Sequence, residues 1–238
     1  MSVLVVTPTY NERENLPDLV RAILAHPDTR VMVVDDQSPD GTGAIADGLA
    51  AEYPGRVIVV HRTEKRGLGR SYVEGLQIAL REGDELICQM DADWSHDPKY
   101  LPEMVRAAAD HDVVIGSRYL RGVSVVNWPL RRIVLSAFAN RYIRAITGLQ
   151  ARDCTSGYRC WRRDMLTQLP LDRVVSDGYA FLVEMLYEAH RRGARIGEVP
   201  IIFVERRLGV SKLSGSVLVE SGLTPWSLRL RSLIRGRP

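Results

Sequence analysis

Short apolar runs alternate with amphipathic segments along the first half of this chain. The runs lie at residues 2–7, 31–34, 57–60, 86–90 and 113–116. Between them, apolar residues recur at helical spacing, as from Leu16 to Leu24, where Asn11 and Glu14 match an N-cap and its reciprocating acid. Strands that alternate with helices of about ten to fifteen residues indicate βαβ units and a parallel sheet. We therefore predict an α/β domain, and 238 residues suffice to bury a large core.

The fourth of these runs ends in two carboxylates, Asp91 and Asp93, followed by Pro98 at the start of the next predicted helix. Ligands of open α/β sheets bind at the carboxyl ends of the strands. Two carboxylates this close together favour a divalent cation, and Mg²⁺ completes such a shell with water and substrate phosphates. The pattern therefore predicts a metal–diphosphate site. The alternative is a structural turn, since Asp readily hydrogen-bonds its own backbone.

The second half of the chain has a less regular pattern and an excess of arginine. It predicts helices at 129–147 and 178–192 and strands at 158–161 and 199–204. Residues 113–152 contain seven arginines and no acid, and residues 226–238 contain four more. Although the net charge is only +3, this uneven distribution indicates a phosphate-rich substrate or an anionic membrane surface. Charge alone is also compatible with nucleic-acid binding.

Several common classes of protein do not fit the sequence. Residues 41–48 (GTGAIADG) have the wrong glycine spacing for a dinucleotide fingerprint, and the phosphate-loop pattern is absent. The three cysteines, Cys88, Cys154 and Cys160, lack zinc spacing, which favours reduced, buried thiols. No apolar run approaches the roughly 20 residues of a membrane helix, and the N-terminus does not resemble a signal peptide. We therefore expect a protein that is made and kept in the cytosol.

Seven short segments, taken together and in order, carry a family resemblance. They are VTPTYNERENL, VVDDQSPDGT, MDADWSHDP, VIGSRY, NWP, DCTSGYR and FVERRLGVSK. Over residues 3–212 the chain resembles the family 2 glycosyltransferases, and in particular the polyprenol-phosphate (dolichol-phosphate) mannosyltransferases. The single motifs are shared widely, whereas the order of MDADWSHDP, VIGSRY, NWP and DCTSGYR is more specific.

The resemblance implies a GT-A fold, in which a Rossmann-like nucleotide-binding half contains a mixed, mostly parallel sheet flanked by helices. It implies a catalytic domain at 1–212, followed by a basic amphipathic segment at 213–238. The implied reaction is the inverting transfer of mannose from GDP-mannose to a polyprenyl phosphate, with Mg²⁺ or Mn²⁺. A donor such as UDP-glucose is the alternative within this class. A nucleotide- or RNA-binding module without transferase activity is the alternative of another class, although acidic strand ends would repel a nucleic acid.

Individual positions take roles from the same resemblance. The implied donor-binding residues are Pro8, Tyr10, Glu12, Val34, Asp36, Asp91, Ala92, Asp93, Arg206 and Lys212. The implied metal ligands are Asp91, Asp93 and Ser95, where Ser95 matches a position that is Gln in some relatives. Asp93, Arg118 and Arg132 are the implied catalytic residues, and both arginines match basic residues near the phosphates. One departure is Ala180, where some relatives carry a donor-contacting Lys.

A phosphomonoester acceptor would remove the need for a strong base. Its second pKa is about 6, so it arrives as a nucleophilic dianion. This fits a sequence with no obvious His–carboxylate pair, in which His96 is either a catalytic participant or part of a structural turn. A lipid acceptor also suggests peripheral binding at the cytoplasmic membrane surface, either through the tail from Leu223 or through a membrane-anchoring partner protein. The alternative for this tail is an ordinary helix packed on the domain.

Overall fold

A computed structural model describes residues 1–63, 67–174, 176, 178, 180–205 and 215–235. The strands are β1 Val3–Thr9, β2 Thr29–Asp35, β3 Val57–His61, β4 Leu86–Gln89, β5 Val113–Ser117, β6 Val125–Val126, β7 Arg159–Arg162, β8 Ile196–Pro200 and β9 Phe203–Val204. The α-helices are α1 Leu16–Leu24, α2 Thr42–Glu52, α3 Leu68–Glu82, α4 Leu101–Ala107, α5 Leu130–Thr147, α6 Arg163–Thr167, α7 Ala180–Arg191 and α8 Gly215–Arg235. These elements confirm the predicted α/β class and the alternation of strands and helices in the first half.

The central sheet has the strand order β3-β2-β1-β4-β7-β5-β8. Strands β3, β2, β1 and β4 run parallel, and β8 is parallel to β5, whereas β7 is antiparallel to both of its neighbours. The predicted mixed, mostly parallel sheet is therefore confirmed. The chain progresses outward from β1 to β3 and then returns to place β4 on the other side of β1. This reversal is a topological switch point, where open α/β sheets bind their ligands.

Side chains of the sheet alternate between two hydrophobic cores, one on each face. Leu4 and Val6 of β1 pack with the core that includes Leu76 of α3 and Phe181 of α7. Val3 and Val5 point to the opposite core, formed with α1, α2 and α4. Helix α3 lies so close to the sheet that a Cβ on Gly75 would come within 2.7 Å of Val6 and 2.9 Å of Val34. This close packing anchors α3, which carries side chains of the site described below.

Two local predictions are wrong. The strand expected at 199–204 is divided. Strand β8, which pairs with β5, ends at Pro200, and the chain then crosses to pair β9 with β6.

Asn11 is not the N-cap of α1, since it has a positive φ of 61° and the cap position is Asn15. The backbone N–H of Asn11 donates instead to Ser38 Oγ (3.1 Å), and that of Glu12 donates to Thr42 Oγ1 (3.0 Å). Side chains that are distant in sequence, Ser38 and Thr42, therefore accept from the backbone before α1 in place of a local capping box.

Helix α8 packs on α5 and α7. Tyr142 donates to the carbonyl of Gly222 (2.8 Å) and accepts from Trp226 Nε1 (3.0 Å), and Tyr187 donates to Ser232 Oγ (2.9 Å). Leu228 is buried in the core. The tail from Leu223 therefore contacts the domain, as expected of an ordinary packed helix. Within the described residues, none of the helices combines the length and apolar composition that crossing a bilayer requires.

Candidate functional site

The carboxyl ends of β1, β2 and β4 meet at the switch point and bring most of the predicted donor-binding residues together. Pro8 of β1 is the register partner of Val34 of β2, and both are buried. The backbone N–H of Asp36 donates to the carbonyl of Thr9 (2.9 Å), which fixes the loop after β2 against the end of β1. Ala92 and Asp93 follow β4, the other neighbour of β1. Arg206 and Lys212 lie outside the described residues.

Asp91 is oriented by a tyrosine that the sequence analysis did not identify. Tyr72 of α3 donates its hydroxyl to Asp91 Oδ1 at 2.6 Å, and its ring stacks on Phe181 with centroids 5.6 Å apart. Burial, together with the charge of Asp91 and this hydrogen bond, raises the pKa of Tyr72 well above its usual value. The hydroxyl therefore keeps its proton and remains a donor. The Asp91 side chain retains 28% exposure, so the carboxylate is held from one side and accessible from another.

Asp93 is held within its own turn. Its Oδ1 accepts hydrogen bonds from the backbone N–H of Ser95 (3.1 Å) and from Ser95 Oγ (2.5 Å). Asp93 and Ser95 are both buried, and Trp94 between them has a positive φ of 63°. The turn geometry of Asp therefore coexists with the predicted site, and the Ser95 hydroxyl positions the Asp93 carboxylate. Direct metal ligation by Ser95 stays a prediction.

The residues around Asp91 and Asp93 fit a hard divalent cation that is completed by substrate. The negative charges of Asp91 and Asp93 both contribute to raising the pKa of Tyr72. The two carboxylates therefore lie in the same part of the site. A Cβ on Gly157 would lie 3.7 and 3.8 Å from the Asp91 oxygens, so glycine at this position keeps the space beside the carboxylate open. The described residues contain no group of three or more His, Cys, Asp or Glu side chains that could enclose a metal. Two carboxylates, with the remaining ligands left to water and substrate phosphates, match the Mg²⁺ chemistry of phosphate-binding sites rather than a closed structural site.

His96 supports the turn rather than offering a base. Its Nδ1 accepts from the backbone N–H of Asp91 at 3.0 Å, which places the proton of the neutral ring on Nε2. The ring stacks on Tyr158 with centroids 5.1 Å apart and meets Phe203 edge-on at 5.8 Å. It is 2% exposed. Of the two roles considered for His96, this geometry favours the structural one.

Asp35 and Asp36 play different parts in the loop after β2. Asp35 accepts from Thr9 Oγ1 (3.0 Å) and from the backbone N–H and hydroxyl of Ser38 (3.1 and 2.6 Å), so it fastens the loop. Asp36 forms an ion pair with the buried guanidinium of Arg62. Arg62 also donates to Ser71 Oγ (2.9 Å). Arg62 therefore holds the predicted donor-binding carboxylate, and no sequence motif indicated this residue.

Arg118 is bound to a buried carboxylate. Its Nε and Nη2 donate to the two oxygens of Asp153, both at 2.7 Å, and Nη2 also donates to Thr155 Oγ1 (2.8 Å). Burial alone would raise the pKa of Asp153, but the charge and hydrogen bonds of Arg118 bring the pKa below its usual value. The guanidinium of Arg118, which was predicted to lie near the phosphates, is thus one half of a buried ion pair.

Arg132 lies in the first turn of α5, above the ring of Trp128. Its Cζ is 4.0 Å from the Trp128 ring centroid, and the Cζ of Arg118 is 5.5 Å from that centroid and 5.5 Å from the Phe203 centroid. We call Arg118, Arg132, Trp128 and Phe203 the arginine–aromatic cluster. Phe203 also contacts His96, so the cluster is continuous with the turn that carries Asp91. Cation–π contacts hold the positive charges in place beside the acidic site.

Comparison with known proteins gives a consistent result. The sequence profile described as "Glycosyl transferase family 2" matches residues 4–169. The chain is 49% identical over 232 residues to the polyprenol monophosphomannose synthase of Mycolicibacterium smegmatis, covering 96% of this chain and 88% of that protein. It is 47% identical over 234 residues to the undecaprenyl-phosphate mannosyltransferase of Micrococcus luteus, covering 97% and 96%.

A solved structure shows the same fold. Glucosyl-3-phosphoglycerate synthase from Mycobacterium tuberculosis, crystallised with Mn²⁺, UDP-glucose and phosphoglyceric acid, superposes with a TM-score of 0.69 at 21% identity. The match covers 96% of this chain and 79% of that one.

Proposed function

Because the chain belongs to glycosyltransferase family 2, we propose that it transfers mannose from GDP-mannose to a polyprenyl phosphate with inversion at the anomeric carbon. The observation that carries this proposal is the nearly full-length identity, 49% and 47%, to two enzymes named for mannose transfer to polyprenyl carriers. The geometry supports it, because the partly exposed carboxylate of Asp91 and the buried carboxylate of Asp93 lie at the switch point of the sheet beside the arginine–aromatic cluster. The products are a polyprenyl-phosphate mannose and GDP.

On the donor side, the carboxyl ends of the strands would form a crevice for the nucleotide, and the acidic residues would lie at the end that receives the diphosphate. Pro8, Tyr10, Glu12, Val34, Asp36 and Ala92 would line the nucleoside portion. Asp91 and Asp93 would hold Mg²⁺ or Mn²⁺, with Ser95 fixing the orientation of Asp93 (Oγ to Oδ1, 2.5 Å). When bound, the cation supplies positive charge that stabilises the leaving diphosphate. Tyr72 keeps Asp91 in one orientation, so little reorganisation is needed as charge develops.

On the acceptor side, Arg132 would orient the attacking phosphate. An oxygen of the acceptor dianion forms a bond to the anomeric carbon, while the bond from that carbon to the diphosphate oxygen breaks and its electron pair leaves with GDP. The acceptor has already lost its proton near neutral pH. The turn role of His96, whose Nδ1 is engaged by the Asp91 backbone, is compatible with this chemistry. The protein's task is therefore positioning and charge stabilisation.

The reaction is tested by offering a panel of radiolabelled nucleotide sugars with a short polyprenyl phosphate and either Mg²⁺ or Mn²⁺. We expect label from GDP-mannose to enter the lipid product, and chelation of the cation to stop the transfer. Preferential transfer from UDP-glucose would replace the proposed donor while keeping the acceptor. Absence of transfer from every donor by folded protein would contradict the proposal.

Replacing Arg132 with alanine is expected to raise the acceptor KM by about 10- to 100-fold, because a charge-assisted contact to the phosphate is lost. The dissociation constant of GDP should change less than about twofold. Arg131→Ala is the matched control, since its exposed side chain lies one residue away on the same helix. Steady-state kinetics with a water-soluble prenyl phosphate and calorimetric titration of GDP measure the two effects. An unchanged acceptor KM would remove Arg132 from this role.

We further propose that the enzyme binds the cytoplasmic surface of a membrane through α5 and α8. These two helices contact each other and expose a set of large apolar side chains. They are Leu130, Val134, Leu135 and Phe138 of α5 and Leu223, Trp226 and Leu230 of α8. Arginines interleave with them, and no acid occurs in residues 113–152 or after Glu220. Apolar side chains rimmed by cations suit an anionic lipid surface.

The double substitution of Leu223 and Leu230 by asparagine is expected to weaken partitioning onto anionic vesicles at least about tenfold, since each leucine contributes apolar area. Both side chains are more than half exposed (65% and 58%), so the fold should be retained. Leu68→Asn on α3, which is 45% exposed, is the control. Flotation with protein-free vesicles measures the binding. Equal flotation of all variants would contradict the lipid-binding role, and absence of flotation by the unmodified protein would favour anchoring by a partner protein.

A further inference from the structure

The guanidinium of Arg132 is bound by a carboxylate of the chain itself. Its Nη1 donates to Glu205 Oε2, and the Arg132 and Glu205 side chains are 21% and 25% exposed. The ion pair joins the first turn of α5 to the end of β9, across 73 residues of sequence. The carboxylate of Glu205 therefore binds the same arginine that the proposed function assigns to the acceptor phosphate.

Glu205 is presented to Arg132 by fixed backbone. Its N–H donates to the carbonyl of Val126 at 3.2 Å, and the N–H of Phe203 donates to the carbonyl of Ser124 at 3.0 Å. Strands β6 and β9 pair at Val125↔Phe203 and Val126↔Val204. The carboxylate is thus tethered next to the guanidinium at a high effective concentration.

The surroundings of this pair suit an anion with more oxygens than a carboxylate has. Arg132 rests on the ring of Trp128, whose indole N–H is buried and has no hydrogen-bond partner among the residues described. A buried N–H without a partner is costly, and a ligand that accepts from it recovers that cost. Glu205 offers two oxygens and one charge, whereas a phosphomonoester dianion offers three oxygens and nearly two charges.

We propose that Glu205 is a built-in competitor that occupies the acceptor-phosphate subsite at Arg132 until the phosphate displaces it. This inference rests on the proposed function and assigns to that site a residue that keeps weakly binding anions out. A monoanion such as a carboxylate gains little by displacing Glu205, because it replaces one charge by an equal one. A phosphate dianion gains charge and hydrogen bonds, so it displaces Glu205 at concentrations at which a more weakly bound anion leaves the ion pair intact.

Removing the competitor should strengthen acceptor binding. The apparent dissociation constant of a ligand equals its intrinsic dissociation constant divided by the fraction of protein in which the site is open. For a half-buried ion pair, Glu205→Gln is expected to lower the dissociation constant of a prenyl monophosphate by about fivefold. The same change should strengthen the binding of prenyl carboxylates by a similar factor, because a competitor raises the apparent dissociation constant of every anion at the site alike.

The experiment is calorimetric titration of geranyl phosphate into the full-length protein, without donor, and of geranic acid in a parallel series. Glu52→Gln is the charge-matched control, because Glu52 also accepts from an arginine (Arg21, 3.4 Å) but on the exposed surface at the end of α2. A double-mutant cycle with Arg132→Ala tests whether Glu205 acts through that arginine. In the Arg132→Ala background, we expect Glu205→Gln to have no effect.

The outcomes separate this inference from the proposed function. Tighter binding by Glu205→Gln, abolished by Arg132→Ala and absent in Glu52→Gln, supports the competitor. Unchanged or weaker binding by Glu205→Gln, in a protein whose unmodified form binds geranyl phosphate, would overturn it and leave the proposed function intact. If the unmodified protein and Glu205→Gln both fail to bind geranyl phosphate, the acceptor assignment itself is wrong.

Discussion

Replacing Asp93 with asparagine is expected to lower sugar transfer by about 1,000-fold, a loss typical of removing a principal group that stabilises charge in a transition state. Asparagine has nearly the same shape and can still accept from Ser95, which donates to Asp93 through its backbone N–H (3.1 Å) and its hydroxyl (2.5 Å). The turn should therefore persist while the negative charge that holds the cation is removed. The variant separates the proposed metal site from the structural turn, because only the first requires the charge.

Asp97→Asn is the matched control for this experiment. Asp97 lies in the same segment, accepts from the backbone N–H of Lys99 at 3.0 Å and pairs with Lys99 Nζ at 2.7 Å. Because asparagine caps about as well as aspartate, Asp97→Asn should keep this hydrogen bond and leave most activity. Circular dichroism and thermal unfolding verify that Asp93→Asn is folded, and activity is measured over a range of Mg²⁺ and Mn²⁺ concentrations. Near-normal turnover by folded Asp93→Asn protein would contradict the metal assignment.

Local sequence patterns were sufficient to predict the first half of the fold. The apolar runs and their helical spacers located β1 to β5 and α1 to α4 to within a few residues, because each element buries a face whose periodicity is visible in the sequence. The position of Asp91 and Asp93 after a buried strand likewise indicated that they would lie at the carboxyl edge of the sheet. The structure places both there, beside the end of β1. Their ligands remain a prediction.

Local patterns could not predict the pairings between side chains that are distant in sequence. Tyr72 and Asp91, Arg62 and Asp36, and Arg118 and Asp153 are separated by 19, 26 and 35 residues. Each arises from the packing of whole elements rather than from a local motif. The insertion of β7 between β4 and β5 is a similar case, since four residues carry no periodicity that could reveal their neighbours or their direction. The sequence thus indicated which residues are polar at strand ends, but not which partners hold them.

Replacing Arg118 with methionine is expected to destabilise the protein by about 3 to 5 kcal/mol, because the Asp153 carboxylate would be left buried without its partner. For a domain of this size, such a loss corresponds to a melting temperature lower by roughly 10 °C. Arg118 is 5% exposed and Asp153 is fully buried. Thermal unfolding at neutral pH measures the effect. Unchanged stability would show that the ion pair contributes little to the fold.

Acid titration of stability provides a second test of the same pair. The pKa of Asp153 lies below its usual value of 3.8, so the ionised carboxylate stabilises the fold fully above that value. The stabilisation is lost as the pH falls through the lower folded-state pKa. The difference in unfolding free energy between the unmodified protein and Asp153→Asn should therefore be largest at neutral pH and shrink below about pH 4. A difference that stays constant with pH would contradict this assignment.

The double variant Arg118→Met with Asp153→Leu decides whether Arg118 also takes part in catalysis. Replacing both members of a buried pair by apolar side chains is often neutral or stabilising, but leucine leaves the Arg118 backbone N–H, which donates to Asp153 at 3.0 Å, without its acceptor. The double variant should therefore recover part of the melting temperature lost by Arg118→Met. If Arg118 serves only to hold the loop at Asp153, activity should return with stability. If its guanidinium also faces the phosphates, the double variant should be stable yet at least about 100-fold less active.

We expect the double variant to be stable but inactive. The Cζ of Arg118 lies 5.5 Å from the centroid of the same Trp128 ring that supports Arg132, so both positive charges act on the phosphate subsite. Full activity in the stable double variant would limit Arg118 to the fold.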